Sequence, residues 1–282
     1  CNLSGPGADM MLARLAASEN VPLGVSTVAS TAMEPLIEEA EGNAWFQLYF
    51  SGDGTGTFKL VERAKTAGYE TIVMTVDVAE VGRRPRELRH GFTMPFKIGP
   101  KQFIDFALHP RWSLTSLFAG KPQMANFLMD GYDFDRTESR AKADWDTLTR
   151  LRDMWPGKLV VKGVLDTEDS IALKAAGVDA IQVSSHGSRQ LDSAPAPILE
   201  LAKIREAVGP DYPLFYDTGL RSGEDVVKAY AQGANFTFLG RVLQFAIAAS
   251  GEEGLQELWN VLKNETSITL AQIGKRNLRK EE

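Results

Sequence analysis

Cysteine is nearly missing from this chain, with Cys1 the only one in 282 residues. That excludes an intrachain disulfide framework and a zinc site built on cysteine pairs. Histidine is almost as scarce. The three present, His90, His109 and His186, are too scattered for a histidine-rich site, so no metal is expected. Positive charge is not in excess either, and a net charge of −6 argues against a general nucleic-acid binder. No apolar run approaches the roughly 20 residues that a membrane-spanning helix needs, and no signal peptide is read. The expected location is the cytoplasm, either free or peripheral at the inner face of the cell membrane. An initiating methionine is lacking too, which points to a truncated or processed chain.

What is present suits an α/β protein, at 44% hydrophobic and 24% charged. Short β-branched or apolar runs at 22–26, 45–49, 71–76, 159–162, 180–184, 214–217 and 236–240 read as buried parallel strands. Amphipathic segments near 8–19, 31–41, 57–67, 145–154, 167–176, 198–208 and 222–232 read as helices between them. Gly68, Gly177 and Gly233 stand where left-handed C-terminal caps are expected. Such βα repeats fit either a (β/α)8 barrel or a doubly wound sheet. Polar chemistry decides between the two. Ser26, Gln47, Tyr49, Thr75, Asp77, Lys162, Ser184, Asp217 and Gly240-Arg241 all fall at the carboxyl ends of different strands. A barrel gathers those ends around one mouth, whereas an open sheet spreads them along an edge. The expected fold is therefore a TIM barrel forming one domain over 1–282, with seven strands and the first of eight missing.

The connection at about 78–143 is unusually long and holds only short helical stretches. Loops of that size are usually lids or binding segments. Its middle is basic (Arg83, Arg84, Arg86, Arg89, Lys97, Lys101, Arg111, Lys121) and carries Phe103, Ile104, Phe106, Leu108, Trp112, Leu114, Leu117 and Phe118. Two readings stand about even. Over 97–121 the segment docks on an anionic membrane, or it is a lid whose apolar face covers the active site or a neighbouring subunit.

Two loops carry phosphate-binding character. Asp217-Thr218-Gly219-Leu220-Arg221-Ser222-Gly223 follows the penultimate strand, and Gly240-Arg241 follows the last. In barrels these positions commonly build a cradle from backbone N–H groups and a helix N-terminus. Ser222 is placed to cap the next helix, with Asp225 three positions on. A third loop, Ser184-Ser185-His186-Gly187-Ser188-Arg189-Gln190-Leu191-Asp192, sets an imidazole and a guanidinium three residues apart. Such a pair can take a proton from a substrate while gripping its carboxylate. Alone, His-x-x-Arg has little specificity and reads rather as a loop histidine packed beside a surface arginine.

Taken together and in order, the segments Trp45-Phe46-Gln47-Leu48-Tyr49, Thr75-Val76-Asp77 with Gly82-Arg83-Arg84, Val161-Lys162-Gly163-Val164, the His186 loop, 217–221 and Gly240-Arg241 resemble the FMN-dependent α-hydroxy acid dehydrogenase/oxidase family over essentially the whole chain. The resemblance implies FMN-dependent oxidation of an L-2-hydroxy acid, lactate-like or mandelate-like, to the 2-oxo acid. It makes His186 the base, Asp77 its partner, Arg84 and Arg189 the carboxylate clamp, and Tyr49 a contact to the substrate oxygen. It assigns Ser26, Gln47, Thr75, Lys162 and Ser184 to the flavin ring, and Asp217, Gly219, Arg221, Gly240 and Arg241 to the ribityl chain and phosphate. It also implies a homo-oligomer, a tetramer by analogy. The family's first strand, with the loop that governs oxygen access, should lie before Cys1. Ser185, Thr218 and Val28 depart from common family residues and bear on substrate size. His109-Pro110-Arg111-Trp112 is closer to the mandelate and lactate dehydrogenases, which favours a quinone or cytochrome as electron acceptor. The alternatives are an oxidase using O2 and a non-catalytic flavin-binding fragment.

Overall fold

The computed structural model describes residues 2, 4–91, 98–120, 123–129 and 140–278. In chain order the elements are α1 Ala8–Glu19, β1 Leu23–Ser26, α2 Met33–Glu39, β2 Ala44–Tyr49, α3 Thr55–Thr66 and β3 Thr71–Thr75, then α4 Pro85–Arg89, α5 Pro100–Leu108 and α6 Pro110–Ala119 in the long connection. After it come α7 Trp145–Met154, β4 Lys158–Val164, α8 Thr167–Ala175, β5 Ala180–Val183, α9 Pro197–Val208, β6 Leu214–Tyr216, α10 Gly223–Ala231, β7 Phe236–Thr237 and α11 Arg241–Gln272. The seven strands among the described residues are parallel, and each pairs with its neighbour in sequence, in the order β1 to β7. This is the curled, partial barrel that the strand count implied.

Period-two alternation gives the sheet two different faces. Phe46, Leu48, Ile72, Met74, Leu159, Val161, Ile181, Val183 and Leu214 belong to the main core shared with the helices. The alternate residues Trp45, Val73, Val160, Ala180 and Phe215 form a separate apolar layer, extended by the rings of Phe236 and Phe238. Two residues further along the same strands, this second face becomes polar: Gln47, Thr75, Lys162, Gln182 and Asp217. Register aligns them, with Tyr49 beside Thr75, Thr75 beside Lys162 and Lys162 beside Gln182. The strands thus carry an apolar plug below and a polar mouth at their carboxyl ends, as barrel enzymes do.

The expected glycine caps are present, with φ of 89° at Gly68, 77° at Gly177 and 108° at Gly233. One large element is absent from the sequence reading. α11 runs for 32 residues with a kink at Ser250 and Gly251, and its apolar residues follow no single clean stripe. It packs on α1 through Ile247 and Leu255 against Ala8 and Leu15, and Arg14 forks onto Glu252 at 2.6 and 2.9 Å. Because α1 precedes β1 and α11 follows β7, this contact draws the two edges of the sheet together through the helical layer.

The long connection contains helices of five, nine and ten residues, short as expected. α5 and α6 meet through Phe106 and Trp112, whose rings are 5.5 Å apart. The connection then returns to its own start, where the Arg140 N–H donates to the Ala79 carbonyl at 3.3 Å. Lys97 and Lys121, counted above among its basic residues, lie outside the described residues, as do the side chains of Arg86 and Arg111.

Candidate active site

His186 sits just beyond β5 in a backbone turn that side chains other than glycine rarely adopt. His186, Gly187 and Ser188 all have positive φ, at 55°, 66° and 59°, a conformation that costs non-glycine residues about 1–2 kcal/mol each. Neighbouring groups hold it there. The His186 N–H donates to Ser184 Oγ at 3.0 Å, and its Nδ1 is 2.9 Å from Asp77 Oδ1. A carboxylate oxygen accepts, so the hydrogen of this contact is on Nδ1, and Nε2 is the ring nitrogen turned into the mouth. Nε2 faces the Tyr49 hydroxyl at 3.4 Å.

Asp77 reaches this position because of a glycine. Gly163 has φ 102°, and a Cβ there would lie 2.5 Å from the Asp77 Cβ. The β4–β5 register shifts at the same place, between Lys162 and Val164. The loop after β3 packs equally closely on the histidine loop, since a Cβ on Gly82 would meet the Gln190 carbonyl at 2.4 Å.

Lys162 is the buried cation of the mouth, its side chain 14% exposed. It donates to Ser184 Oγ at 2.8 Å and lies 3.6 Å from Asp77 Oδ2 and 3.5 Å from Asp217 Oδ2. Burial works to lower its pKa, but the Asp217 and Asp77 carboxylates outweigh burial and hold the ammonium above the ordinary lysine value. Ser184 passes its own hydrogen to Asp217 Oδ1 at 2.7 Å, and Gln182 Nε2 also donates to Asp217. A second polar row crosses β1 to β3, from Ser26 Oγ to Gln47 Oε1 at 3.1 Å and from Gln47 Nε2 to Thr75 Oγ1 at 2.8 Å.

On the substrate side the charges are unbalanced. Among the described residues, Arg84 Nε is buried with no hydrogen-bond partner. Arg189 has one carboxylate, Glu87, at 3.8 Å, and its pKa is lowered by burial and then by repulsion from Arg84. Two adjacent guanidiniums with so little countercharge make a receptor for an anion. Burial, with a smaller contribution from Asp77, raises the Tyr49 phenol, so its hydroxyl stays protonated and able to donate.

The phosphate loops divide unequally. The N-terminus of α10 is filled from within: Ser222 Oγ accepts from the Asp225 N–H at 3.2 Å, and Glu265 accepts from the Gly223 N–H at 2.8 Å. The return bond from Asp225 goes to the Arg221 N–H, one residue earlier than a capping box would place it. α11 instead starts at Gly240 without a side-chain cap. Space is open above both Gly240 and Gly219, where a Cβ would meet nothing within 4 Å. Arg221 is exposed at this end of the barrel, and Arg241 donates to the Gly187 carbonyl at 3.2 Å. The open backbone at this end is thus the turn at Thr218 and Gly219, with positive φ at both, together with the start of α11.

Of the residues singled out for the site, hydrogen bonds and ion pairs link Tyr49, Asp77, Lys162, Ser184, His186 and Asp217 and, in a second row, Ser26, Gln47 and Thr75, while Arg84 acts on Arg189 and Arg241 reaches the Gly187 carbonyl. Sequence reasoning missed Gln182, the room that Gly163 makes for Asp77, and Arg140, whose guanidinium carbon lies 5.3 Å from the centre of the Tyr49 ring. Gln182 could have been found from alternation along β5, since it lies two residues before Ser184. Arg140 gave no such signal, because only the return of the long connection brings it there.

Comparison with known proteins agrees with this geometry. The model of the FMN-dependent dehydrogenase family matches residues 1–281. The (S)-mandelate dehydrogenase of Pseudomonas putida is 39% identical over 276 residues, covering 95% of this chain and 70% of that protein. A putative L-lactate dehydrogenase of Mycobacterium tuberculosis is 35% identical, covering 93% of this chain and 64% of the relative. The chain therefore spans about two thirds of the length of these relatives. Among solved structures, a monotopic membrane protein, (S)-mandelate dehydrogenase, superposes with a TM-score of 0.89 at 38% identity, covering 98% of this chain and 75% of that one. Mandelate oxidase with (S)-2-phenylpropionate gives a TM-score of 0.79 at 32% identity, covering 98% and 72%. A near-complete family match, together with relatives of this identity, makes the chain a member of the FMN-dependent dehydrogenase family, whose mandelate and lactate dehydrogenases are oxidoreductases.

Proposed function

We propose that this chain oxidises an L-2-hydroxy acid to the 2-oxo acid, with His186 as the base and a quinone or cytochrome as the final electron acceptor. The observation that carries the reading is His186 held between Asp77 and Tyr49 beside the under-neutralised Arg84 and Arg189.

The mouth fits FMN. The open turn at Gly219 and the uncapped start of α11 suit its phosphate, with Arg221, Gly240 and Arg241 around it and Asp217 toward the ribityl chain. Ser26, Gln47, Thr75, Lys162 and Ser184 form a polar floor for the ring. When bound, FMN supplies the acceptor for the two electrons and gains negative charge on one edge of its ring as it takes them.

Arg84 and Arg189 grip the substrate carboxylate, and the Tyr49 hydroxyl bonds the oxygen at C2. Nε2 of His186 takes a proton from the substrate, and Asp77 stabilises the imidazolium that results while fixing its tautomer. The Lys162 ammonium, kept charged by two carboxylates, offsets the negative charge that develops on the flavin. Oxidation releases two protons and two electrons in all. His186 holds one proton whether the C2 hydrogen departs as a proton or as a hydride.

This reading is tested by adding L-2-hydroxy acids anaerobically to the FMN-loaded protein. At least one should bleach the flavin, and the same acid should leave His186→Ala yellow on that timescale. A bleached His186→Ala protein defeats the mechanism. Rapid reoxidation by O2 with stoichiometric peroxide would replace the quinone or cytochrome with oxygen.

Membrane contact through 97–121 belongs to the same proposal. Phe103, Ile104, Leu108, Leu114, Leu117 and Phe118 are all exposed on α5 and α6, Phe118 at 86%, and an apolar surface of that kind marks an interaction site. Exposed Lys101 adds positive charge, and a structural relative is described as a monotopic membrane protein. No helix among the described residues is long and apolar enough to cross a membrane, so contact would be through one face. The protein should co-sediment with vesicles containing anionic lipid, and Phe118→Asp with Leu117→Asp should release it. Equal recovery in the supernatant with and without vesicles rules contact out.

A further inference from the structure

The proposed reaction uses Arg84 and Arg189 but gives no work to Arg140. That residue closes the long connection onto Ala79, and its guanidinium lies over the Tyr49 ring. The same ring stacks toward His186, with centroids 6.4 Å apart. A ligand bonded to the Tyr49 hydroxyl is thus near both the base and Arg140.

Charge around the mouth is uneven. Lys162, Arg84, Arg140 and Arg189 face it, and the carboxylates that reach these cations are Asp77, Asp217 and Glu87. Asp77 and Asp217 are occupied with Lys162, Asp77 also holds His186, and Glu87 reaches Arg189. Among the described residues, Arg84 and Arg140 form no ion pair. Arg84 acts on Arg189, so those two form one locus that a single carboxylate can occupy. Arg140, over the face of the Tyr49 ring at 5.3 Å, is a further cation on the ring that borders the base, where Arg189 also acts.

We propose that Arg140 binds a second anionic group on the substrate, which makes 2-hydroxy dicarboxylates the preferred class over acids with an apolar side chain. This rests on the 2-hydroxy acid reading above and narrows it. One carboxylate, next to the reacting carbon, goes to Arg84 and Arg189. The other, at the far end of the side chain, goes to Arg140.

The test is anaerobic flavin reduction in the FMN-loaded protein with L-malate, L-2-hydroxyglutarate, L-lactate and (S)-mandelate. A diacid should exceed both monoacids in kcat/KM. Arg140→Gln should lower kcat/KM for the diacid by about 10–100-fold, chiefly through KM, as expected for one charged hydrogen-bonded contact. It should change the lactate value by no more than about threefold, roughly the worth of a weak surface interaction. Arg140→Lys, which keeps the charge, should recover part of the loss. The same preference should appear without turnover, as tighter binding of L-malate than L-lactate to His186→Ala, read from the flavin absorbance. If monoacids bleach the flavin and diacids do no better, the inference is overturned while the 2-hydroxy acid reading stands. Equal losses for all acids in Arg140→Gln would show that Arg140 acts through Tyr49, and would overturn it too. If no 2-hydroxy acid bleaches the flavin, the parent reading falls and this inference with it.

Discussion

Replacement of His186 by alanine should slow flavin reduction by about 10²–10⁴-fold, the usual worth of a positioned acid–base group. The loss should fall on kcat, because Arg84, Arg189 and Tyr49 still bind the substrate. Asp77→Asn provides the companion measurement. Asparagine can keep the contact to Nδ1 but removes the charge that stabilises the imidazolium, and its amide can present an N–H where the ring needs an acceptor. Its effect should therefore approach that of His186→Ala. The two losses should not add, since both changes remove the same function. Stopped-flow bleaching of the double variant reads this directly. If the double variant lost the product of the two single effects, Asp77 would have a separate role, with Lys162 the obvious candidate at 3.6 Å.

Lys162→Met should cost about 3–5 kcal/mol of stability, because it strips two buried carboxylates of their common counter-ion. Asp77 and Asp217 are 11% and 16% exposed and would be left facing each other's charge. The measurement is the urea midpoint at neutral pH, with the slope unchanged. The pH dependence has a definite sign. In the parent protein the folded-state pKa of Lys162 lies above the ordinary lysine value, so its contribution is complete below that value and is lost as pH rises through the raised one. In the variant the deficit should shrink as pH falls and the stranded carboxylates take up protons. A variant with the parent's midpoint at neutral pH would show that Lys162 is not the electrostatic centre of the mouth. The proposed role of the ammonium in offsetting charge on the reduced flavin adds that bleaching by the same acid should slow in the variant.

The fold was legible because its signals are local. Parallel strands buried on both sides must be short apolar runs, and the helices between them must carry one apolar stripe and a glycine stop. That is why seven strands and the caps at Gly68, Gly177 and Gly233 could be read directly from residue order. α11 escaped because a kink at Ser250 and Gly251 interrupts it and it packs on both α1 and α10, so its apolar residues trace no single period.

Much of the site was legible for a related reason. In a barrel, the residue that ends each strand goes to one mouth, so Ser26, Tyr49, Thr75, Lys162, Ser184 and Asp217 could be assembled from strand boundaries and family resemblance alone. Sequence by itself determined most of the chemical groups that stand at the mouth, though not Gln182 or Arg140. Only the tertiary structure decided how they are paired. It showed one lysine shared by two carboxylates, a glycine making room for Asp77, the start of α10 filled by Glu265 while the start of α11 stays open, and Arg140 laid over Tyr49. The physical reason is range. Composition and periodicity act over a few residues, whereas an ion pair or a steric gap depends on distances between groups far apart in the chain, from 42 positions for Gly223 and Glu265 to 109 for Asp77 and His186.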